Sequence, residues 1–279
     1  MAKAKLFNWM IGAAFAAGLV GAASTGAMAQ DVLAKVKAAG TLKVGTETAF
    51  APFDFIKDGV HVGFNVDLFA EIGKEMGVKI AWTELPWEGV LPGLETGKFD
   101  IVAGPATITK ARIERYRFST PIAEATVALM KKAGDASIKQ PADVAGKTVG
   151  AGKATAQLAQ LQTWGATLPK PVATKEYPGY NEAYAELATG RIAAVANSLP
   201  NLAYVSQQRA GVYELVQPPF GQKSYFGFPG RKDAEYKTLM DAVDAAILKI
   251  KGDGRMAKLQ EKWFGVAFAT PDVAPPPNF

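Results

Sequence analysis

The sequence predicts a two-lobed α/β protein, and three observations indicate this class. From Thr41 to Ala103, strand-like and helix-like segments alternate as strand, helix, strand, helix, strand, a pattern typical of a parallel sheet with helices on both faces. After Pro121 the chain changes character, and a second strand–loop–helix unit begins at Gly146. The length of 279 residues, 49% of them hydrophobic and 20% charged, is enough for one large or two modest cores.

The first part of the chain supplies the alternating elements of one lobe. Thr41–Gly45 alternates apolar and polar residues and predicts a strand. Glu47 and Phe50 therefore follow its carboxyl end, where the ligands of open α/β sheets bind. Asn65 is expected to cap the next helix. The remaining predictions are a hairpin over 55–64, a helix ending at Gly77, a strand over 78–82, and a helix that begins at Trp87 and ends before Gly97.

The stretch from Phe99 to Arg112 is expected to bind an anion. It predicts a buried strand over Phe99–Ala103 and a tight turn at Gly104-Pro105. Thr107 or Thr109 then caps a helix that carries Arg112. The unpaired amides of a helix start and a planar guanidinium both suit a carboxylate. In the alternative interpretation, Thr109 merely caps the helix and Arg112 is solvated among neighbouring basic residues.

The second part of the chain again places a loop before a helix. Gly152–Ala156 precedes a helix from Gln157, and we expect Thr155 to be this lobe's contact with the same ligand. A buried strand over 192–196 leads to Ser198, so this carboxyl end should also face the cleft. The other expected elements are strands over 126–130, 146–150, 212–216 and 225–228, and helices over 180–189, from Pro200, over 233–250 and over 254–264.

The first 29 residues predict a cleaved signal peptide. Lys3 and Lys5 precede an apolar run from Trp9 to Ala23, and Ala27-Met28-Ala29 provides a small-residue cleavage site. A membrane anchor is the competing interpretation, but the run is short and rich in Ala and Gly. Cysteine is absent, which excludes disulfides, thiolate metal sites and a cysteine that could carry a lipid. We therefore expect a free periplasmic protein.

The charge balance gives no indication of a nucleic-acid partner. Removal of the two signal-peptide lysines leaves 29 of the 31 basic residues against 26 acidic ones, a net charge of +3. This excess is small, and no long basic run accompanies it. We expect a monomer that uses no cofactor and no metal ion.

Several ordered motifs resemble those of the bacterial periplasmic binding proteins that serve polar amino-acid ABC transporters. The motifs are Gly45-Thr46-Glu47-Thr48-Ala49-Phe50-Ala51-Pro52-Phe53, Val62-Gly63-Phe64-Asn65-Val66-Asp67-Leu68, Leu91-Pro92-Gly93-Leu94-Glu95-Thr96-Gly97-Lys98-Phe99-Asp100, the stretch from Phe99 to Arg112, and Lys262-Trp263-Phe264-Gly265. The resemblance covers residues 40–265. It implies the type II periplasmic-binding-protein fold, in which two lobes, each a mainly parallel sheet flanked by helices, are joined by two hinge crossings.

The expected division of the chain follows from this fold and from the predicted elements. Lobe 1 comprises residues 30–121 and 225–266, and lobe 2 comprises residues 127–216. The hinge crossings lie at 122–126 and 217–224. The Pro-rich tail, 267–279, has little to bury and is expected to be flexible.

The resemblance also implies roles for the residues of the cleft. Phe50 and Trp87 are expected to stack on opposite sides of the ligand, although either could instead pack in the core. Arg112 with Thr107 implies a carboxylate on the ligand. Glu47 is expected to contact a polar or cationic side chain of the ligand, or alternatively its α-amino group.

The chain departs from the family pattern at three places. Asn197-Ser198-Leu199 stands where relatives usually place an acidic residue, near Ser198, that pairs with the ligand ammonium. A buried ammonium without a carboxylate partner is costly, so either Glu47 supplies the charge or the ligand is not an ordinary α-amino acid. Pro105 lacks an amide but keeps a carbonyl that could accept from a ligand amine. Ile122-Ala123 replaces the tyrosines frequent in relatives and makes that pocket edge less polar.

These features predict a non-enzymatic receptor that closes on a polar amino acid, or an analogue, and delivers it to the membrane permease of an ABC transporter. The alternative is a periplasmic enzyme on the same fold, such as a dehydratase of a small carboxylate, with Glu47 as its proton-transfer group. The absence of cysteine, of a motif histidine and of paired carboxylates weighs against the enzyme. A third interpretation is a sensory or assembly partner without a ligand of its own.

Overall fold

The computed structural model describes residues 31–279, which fold into two lobes, each built on a five-stranded sheet. The predicted signal peptide, residues 1–29, lies outside the described residues. In chain order the strands are β1 Thr41–Thr46, β2 Ala49–Phe50, β3 Asp54–Lys57, β4 Val60–Val62, β5 Lys79–Glu84, β6 Ile101–Val102, β7 Ala106–Thr107, β8 Tyr116–Phe118, β9 Ala123–Glu124, β10 Val127–Lys132, β11 Thr148–Gly152, β12 Ala173–Tyr177, β13 Ala194–Ser198, β14 Tyr213–Val216, β15 Tyr225–Gly227 and β16 Pro229–Arg231.

Helices cover both faces of these sheets. They are α1 Val32–Ala39, α2 Phe64–Met76, α3 Trp87–Glu95, α4 Lys110–Arg115, α5 Ala156–Gly165, α6 Tyr180–Ala188, α7 Leu199–Gln208, α8 Lys237–Gly252 and α9 Arg255–Phe264. Across residues 31–279, none of them combines the length and the apolar character needed to cross a membrane.

The first sheet has the strand order β5-β1-β6-β16-β8 and is the centre of the first lobe. In it, β1 pairs in parallel with β5 and β6, while β16 runs antiparallel to β6 and β8. The second sheet has the order β12-β11-β13-β10-β14 and is the centre of the second lobe. In it, β11 pairs in parallel with β12 and β13, while β10 runs antiparallel to β13 and β14.

Both sheets are mixed, but in each of them four of the five strands run in the same direction and one, β16 or β10, runs against them, so the prediction of mainly parallel sheets is confirmed. The connections that lead to β10 and β16 explain their antiparallel pairing. A parallel pair needs a crossover connection, usually a helix. By contrast, β10 and β16 follow the passages between the lobes directly, and each runs against its neighbours.

The chain passes twice between the two sheets. The first passage leads from β8 to β10, and the second from β14 to β16. On the way, β9 and β15 pair with each other, with Ala123 opposite Phe226, and β7 completes a three-stranded sheet. The predicted hinge crossings lie within these passages. Their boundaries, like those of the lobes, stay predictions.

The Pro-rich tail contacts the first lobe and the first passage. Thr270 Oγ1 donates to the Pro121 carbonyl at 3.0 Å, and Thr120 Oγ1 donates to the Asp272 carbonyl at 3.2 Å. Lys251 Nζ donates to the Pro271 carbonyl at 3.0 Å. Polar groups of the lobe thus supply hydrogen bonds to the tail that its composition does not reveal. The flexibility of the tail stays a prediction.

Phe99 is the side chain around which β1 and α3 pack. It is fully buried, and two glycines face its ring. A Cβ at Gly45 of β1 would lie 2.3 Å from Phe99 Cζ, and one at Gly93 of α3 would lie 2.7 Å from the same atom. The ring thus occupies the space that side chains at Gly45 and Gly93 would need. The two glycines let β1 and α3 approach each other closely. Trp87, the first residue of α3, therefore lies beside the end of β1.

We expect Gly93→Ala to destabilise the protein and Gly89→Ala, on the same helix, not to do so. Both replacements gain about 0.5–1 kcal/mol of helix propensity. A Cβ at Gly89 meets its nearest neighbour at 3.8 Å, whereas at Gly93 it would collide with the buried Phe99 ring. Overpacking of this kind should lower the free energy of unfolding of Gly93→Ala by about 1–3 kcal/mol in urea titrations. Equal effects of the two replacements would contradict this role of Phe99.

Candidate functional site

Arg112 and the loop before it form one end of a candidate site on the first lobe. Thr109 caps α4, and its Oγ1 accepts a hydrogen bond from Arg112 N at 3.3 Å. The side chain of Arg112 returns to the same loop, where Nη1 donates to the Thr107 carbonyl oxygen at 3.1 Å. Thr107 is itself only 2% exposed. The loop that the sequence predicted to bind an anion therefore fixes the guanidinium in place.

The Arg112 guanidinium forms no ion pair within the described part of the chain. Its Cζ lies 5.5 Å from the centroid of the Trp87 ring, which is a cation–π contact. Burial lowers the pKa of Arg112 to about 10. Within residues 31–279 the guanidinium donates a single hydrogen bond, to Thr107. Its other N–H groups can therefore bind an anion. A carboxylate there would offset the cost of burying the charge.

Trp87 connects this cation to the second lobe. It is the first residue of α3 and is 6% exposed. One edge of its ring lies against Gly104, where a Cβ would be 3.4 Å from Trp87 Cζ3. Its Nε1 donates to the Ala154 carbonyl oxygen, 3.2 Å away on the loop before α5. Trp87 thus contacts both lobes, and its role as a stacking wall for a ligand stays a prediction.

Phe50 lies where the first lobe meets α6 of the second. Its ring stacks on Phe53 at a centroid distance of 5.8 Å and an interplanar angle of 25°. On the other side it meets the Tyr180 ring, also at 5.8 Å. Phe53 is fully buried and packs in the core. Phe50 is the aromatic residue of this loop that reaches the second lobe.

Glu47 is the second charged group of the site. It follows β1 directly and is 6% exposed, and its carboxyl forms no hydrogen bond with any described residue. Burial, together with the negative charge of Asp54, raises the pKa of Glu47 to about 8. Burial also raises the pKa of Tyr180 and of Tyr184, and the charge of Glu47 adds to both shifts. The Glu47 carboxyl is therefore close enough to α6 for its charge to act on both tyrosines.

Asp54 and Asn65 support the loop that carries Glu47. Asn65 Nδ2 donates to Asp54 Oδ2 at 2.5 Å and to the Ala103 carbonyl at 2.8 Å. The prediction that Asn65 caps α2 is wrong. The N-cap is Gly63, whose φ of 144° favours glycine, and Asn65 is a fully buried residue inside the helix. Its amide links β3 to the end of β6 instead of satisfying the helix start.

Thr155 lies on the second lobe beside the Trp87 contact. It caps α5, and its Oγ1 accepts from Leu158 N at 3.1 Å and donates to the Gly152 carbonyl at 2.7 Å. Its hydroxyl proton is therefore used within the second lobe. A contact between Thr155 and a ligand stays a prediction.

Ser198 and Pro105 are both buried. The Ser198 hydroxyl accepts from Gln157 Nε2 at 2.7 Å and donates to the Ala125 carbonyl at 3.3 Å. Pro105 lies in the turn between β6 and β7, next to Gly104. Their ligand contacts stay predictions, and Ser198 already has protein partners for both hydrogen-bonding roles.

The two lobes touch across the site. Lys153 Nζ lies 2.7 Å from Glu88 Oε2, and Asn201 Nδ2 donates to the Ala51 carbonyl at 2.7 Å. With the contacts of Trp87 and Phe50, these bonds close the cleft over Arg112 and Glu47. Among residues 31–279, no cluster of three or more acidic or histidine side chains is arranged to hold a metal ion.

Sequence reasoning missed two tyrosines of the second lobe near Phe50. Tyr180 begins α6, Tyr184 lies four residues later on the same helix, and their rings stack at 6.0 Å. Asn197 of β13 donates through Nδ2 to the Tyr184 hydroxyl at 3.0 Å. The one signal in the sequence is the spacing of the two tyrosines, because residues four apart share a helix face.

Comparison with known proteins gives this site a context. A family model described as "Bacterial extracellular solute-binding proteins, family 3" matches residues 42–266. The L-cystine-binding protein TcyJ of Escherichia coli (strain K12) is 33% identical over 239 residues, which cover 85% of this chain and 87% of that protein. An ancestral arginine-binding protein bound to arginine has a TM-score of 0.74 and 36% identity, covering 81% of this chain and 99% of that one. The ancestral amino acid-binding protein AncCDT-1, a precursor of cyclohexadienyl dehydratase, has a TM-score of 0.76 and 32% identity, covering 84% and 99%.

The raised pKa of Glu47 predicts how stability depends on pH. Between pH 4.5, its ordinary pKa, and pH 8, the folded protein keeps a proton on Glu47 that the unfolded chain releases. The contribution of Glu47 to stability is therefore complete below pH 4.5 and is lost as the pH rises to 8. Relative to Glu47→Gln, the unliganded protein should lose up to about 1.4 kcal/mol per pH unit over this window.

Urea unfolding of both proteins at pH 5, 6.5 and 8 measures this difference. The other titratable groups are present in both proteins, so their contributions largely cancel. If the difference in the free energy of unfolding between the two proteins does not change with pH, Glu47 is ionised in the folded state as it is in the unfolded chain.

Proposed function

Because the chain belongs to the bacterial extracellular solute-binding proteins, family 3, we propose that it is the periplasmic substrate-binding subunit of an ABC importer. It closes on a polar amino acid or an amino-acid analogue and delivers it to the membrane permease. The similarity to proteins named for cystine and arginine binding supports an amino acid as the ligand. The predicted signal peptide supports export to the periplasm.

The observation that carries this proposal is the Arg112 guanidinium, partly buried beside Trp87 and without a carboxylate partner in the described chain. The α-carboxylate of an amino acid is the matching group, because a guanidinium binds it through two parallel hydrogen bonds. Thr107 orients the guanidinium, and the Trp87 ring lies beside it. Closure of the lobes removes water from this pair and strengthens it.

Glu47 supplies the negative charge for a positive group on the ligand. The positions at which relatives usually place an acidic residue are neutral in this chain, where Asn197, Ser198 and Leu199 stand. A cationic group beside Glu47 would favour the ionised carboxyl and reverse the effect of burial. The positive group is the side chain of a cationic amino acid or the α-ammonium of another polar one.

The enzyme alternative has less support. It would use Glu47, protonated at neutral pH, as a general acid. TcyJ is named as a binding protein, and AncCDT-1 is itself described as amino acid-binding. We therefore propose binding without turnover, which incubation with prephenate-like acids checks directly.

A thermal-shift screen over the natural amino acids, ornithine, citrulline, opines and betaines tests the function. A ligand present at a hundred times its Kd adds about 2.7 kcal/mol of stability, which shifts the melting temperature clearly. We expect at least one polar amino acid to do so. If no solute changes the melting temperature, the interpretation as a sensory or assembly partner without a ligand is favoured.

Arg112→Ala should then weaken the binding of the ligand that the screen identifies. Removal of one partner of a buried charge pair costs about 2–5 kcal/mol, so calorimetry should give a loss of roughly 30- to 3000-fold. Arg115→Ala is the matched control, since Arg115 lies on the same helix but pairs with Glu95 at the surface. A loss below threefold for Arg112→Ala would exclude the guanidinium from carboxylate binding.

Glu47→Gln should change the ranking of ligands. The replacement removes the charge and keeps the size of the side chain. We expect it to weaken the binding of arginine and lysine relative to that of glutamine by about tenfold, because a charge-assisted hydrogen bond is lost. Competition binding of the three amino acids measures the ranking, and an unchanged order would remove Glu47 from selectivity.

A further inference from the structure

The Pro-rich tail, residues 267–279, continues past the contacts described above and reaches α4. On the way, residues 274–278 line a cavity together with residues 223–225 of the second passage. Beyond them, the carbonyl oxygen of Phe279 accepts a hydrogen bond from the N–H of Lys110, the first residue of α4, at 2.7 Å. The tail therefore runs from α9 along the second passage to α4 of the first lobe.

The second passage changes lobes beside this part of the tail. Phe220 stacks on Trp164 of α5, at a centroid distance of 4.3 Å and an interplanar angle of 26°, so the passage is still packed on the second lobe there. A few residues later, the Tyr225 carbonyl accepts from Ile108 N at 2.9 Å, and the passage is bonded to the first lobe. The change of lobe therefore falls within residues 221–224.

Phe279 lies beside this change of lobe. Its carbonyl is bonded to α4 of the first lobe, and the residue lines a cavity together with Trp164 and Phe220 on the side of the second lobe. Other residues of α5 line the same cavity. Phe279 is half-buried. One residue of the tail thus lies between elements of both lobes, at the place where the passage itself leaves one lobe for the other.

We propose that the tail is a third connection between the lobes, beside the two passages of the main chain, and that Phe279 restrains opening by packing against α5. Because Phe279 is bonded to α4, it moves with the first lobe, and its packing against α5 is lost when the lobes separate. A contact present in only one of two states favours that state by its own free energy. Phe279 therefore raises the fraction of closed protein.

This inference goes beyond the proposed function, since the restraint acts whatever the ligand is. The tail also lies outside residues 42–266, which the family model matches, so membership of the family does not account for it. A tail in this role is ordered, whereas its composition predicts flexibility.

Phe279→Ala tests the inference, because it removes the ring and keeps the carbonyl that Lys110 N binds. The chain has no cysteine, so two introduced cysteines are the only sites for spin labels. Lys98→Cys on the first lobe and Ala136→Cys on the second are both exposed positions. Double electron–electron resonance then measures the distance between the lobes without any ligand. We expect Phe279→Ala to lower the ratio of short to long distances about 3- to 10-fold, because apolar contact is lost on closure.

Two further variants separate a restraint on opening from a general loss of stability. Val273→Ala is the control on the same tail, because Val273 is 80% exposed, and it should leave the distances unchanged. Phe279→Leu keeps an apolar side chain and should keep most of the closed population. Urea unfolding of each variant measures stability separately. A lower unfolding midpoint for Phe279→Ala with unchanged distances would mean that the ring only stabilises the fold, which overturns the inference.

The remaining outcomes are also decisive. If the labelled protein with Phe279 intact shows only the long distance, the tail does not restrain opening and the inference fails. Equal shifts for Phe279→Ala and Val273→Ala would also overturn it. Because the distances are measured without a ligand, each of these failures leaves the proposed function standing. Conversely, a thermal-shift screen in which no solute binds would count against the proposed function and not against this restraint.

Discussion

Two opposite charges on the same lobe, Glu47 buried and Arg112 partly buried, are held apart from each other, and the site depends on this constraint. Burial lowers the pKa of Arg112 to about 10 and raises that of Glu47 to about 8, so the protein pushes both groups toward their neutral forms. They do not pair in the described chain, where the guanidinium donates to the Thr107 carbonyl and lies beside the Trp87 ring while the Glu47 carboxyl forms no hydrogen bond. A solute with a negative and a positive end relieves both penalties, whereas a simple anion relieves only one. The arrangement therefore favours zwitterions over inorganic anions.

The contacts that join the lobes are weak by comparison. The pair of Lys153 and Glu88 is about half exposed on both sides, so it contributes about 0–1 kcal/mol. The bonds from Trp87 to Ala154 and from Asn201 to Ala51 are neutral and contribute about 0.5–1.5 kcal/mol each. Against the several kcal/mol needed to desolvate each isolated charge, these bonds are small. On this balance the closed arrangement is stabilised mainly by what a ligand adds to it.

The sequence made the alternation of elements and the loop from Phe99 to Arg112 predictable, because both follow from local rules of periodicity and capping. Thr109 caps α4 and Trp87 begins α3 as predicted. The direction of β10 and β16 was not predictable, since pairing between distant segments sets it. Asn65 was misassigned for the same reason: its capping position is a local signal, and the stronger partners, Asp54 and Ala103, come from other elements.

The second lobe has the more subtle role, and no sequence motif reveals it. The second-lobe side chains of Tyr180, Tyr184 and Asn197 are neutral, and the charged Lys153 is already paired with Glu88. Arg112 and Glu47 of the first lobe are therefore the unpaired charges to which a zwitterion is attracted. Closing the second lobe adds shape and neutral hydrogen-bonding groups around a solute that these charges already hold. Because such contacts form only in the closed state, closure itself is the selective step.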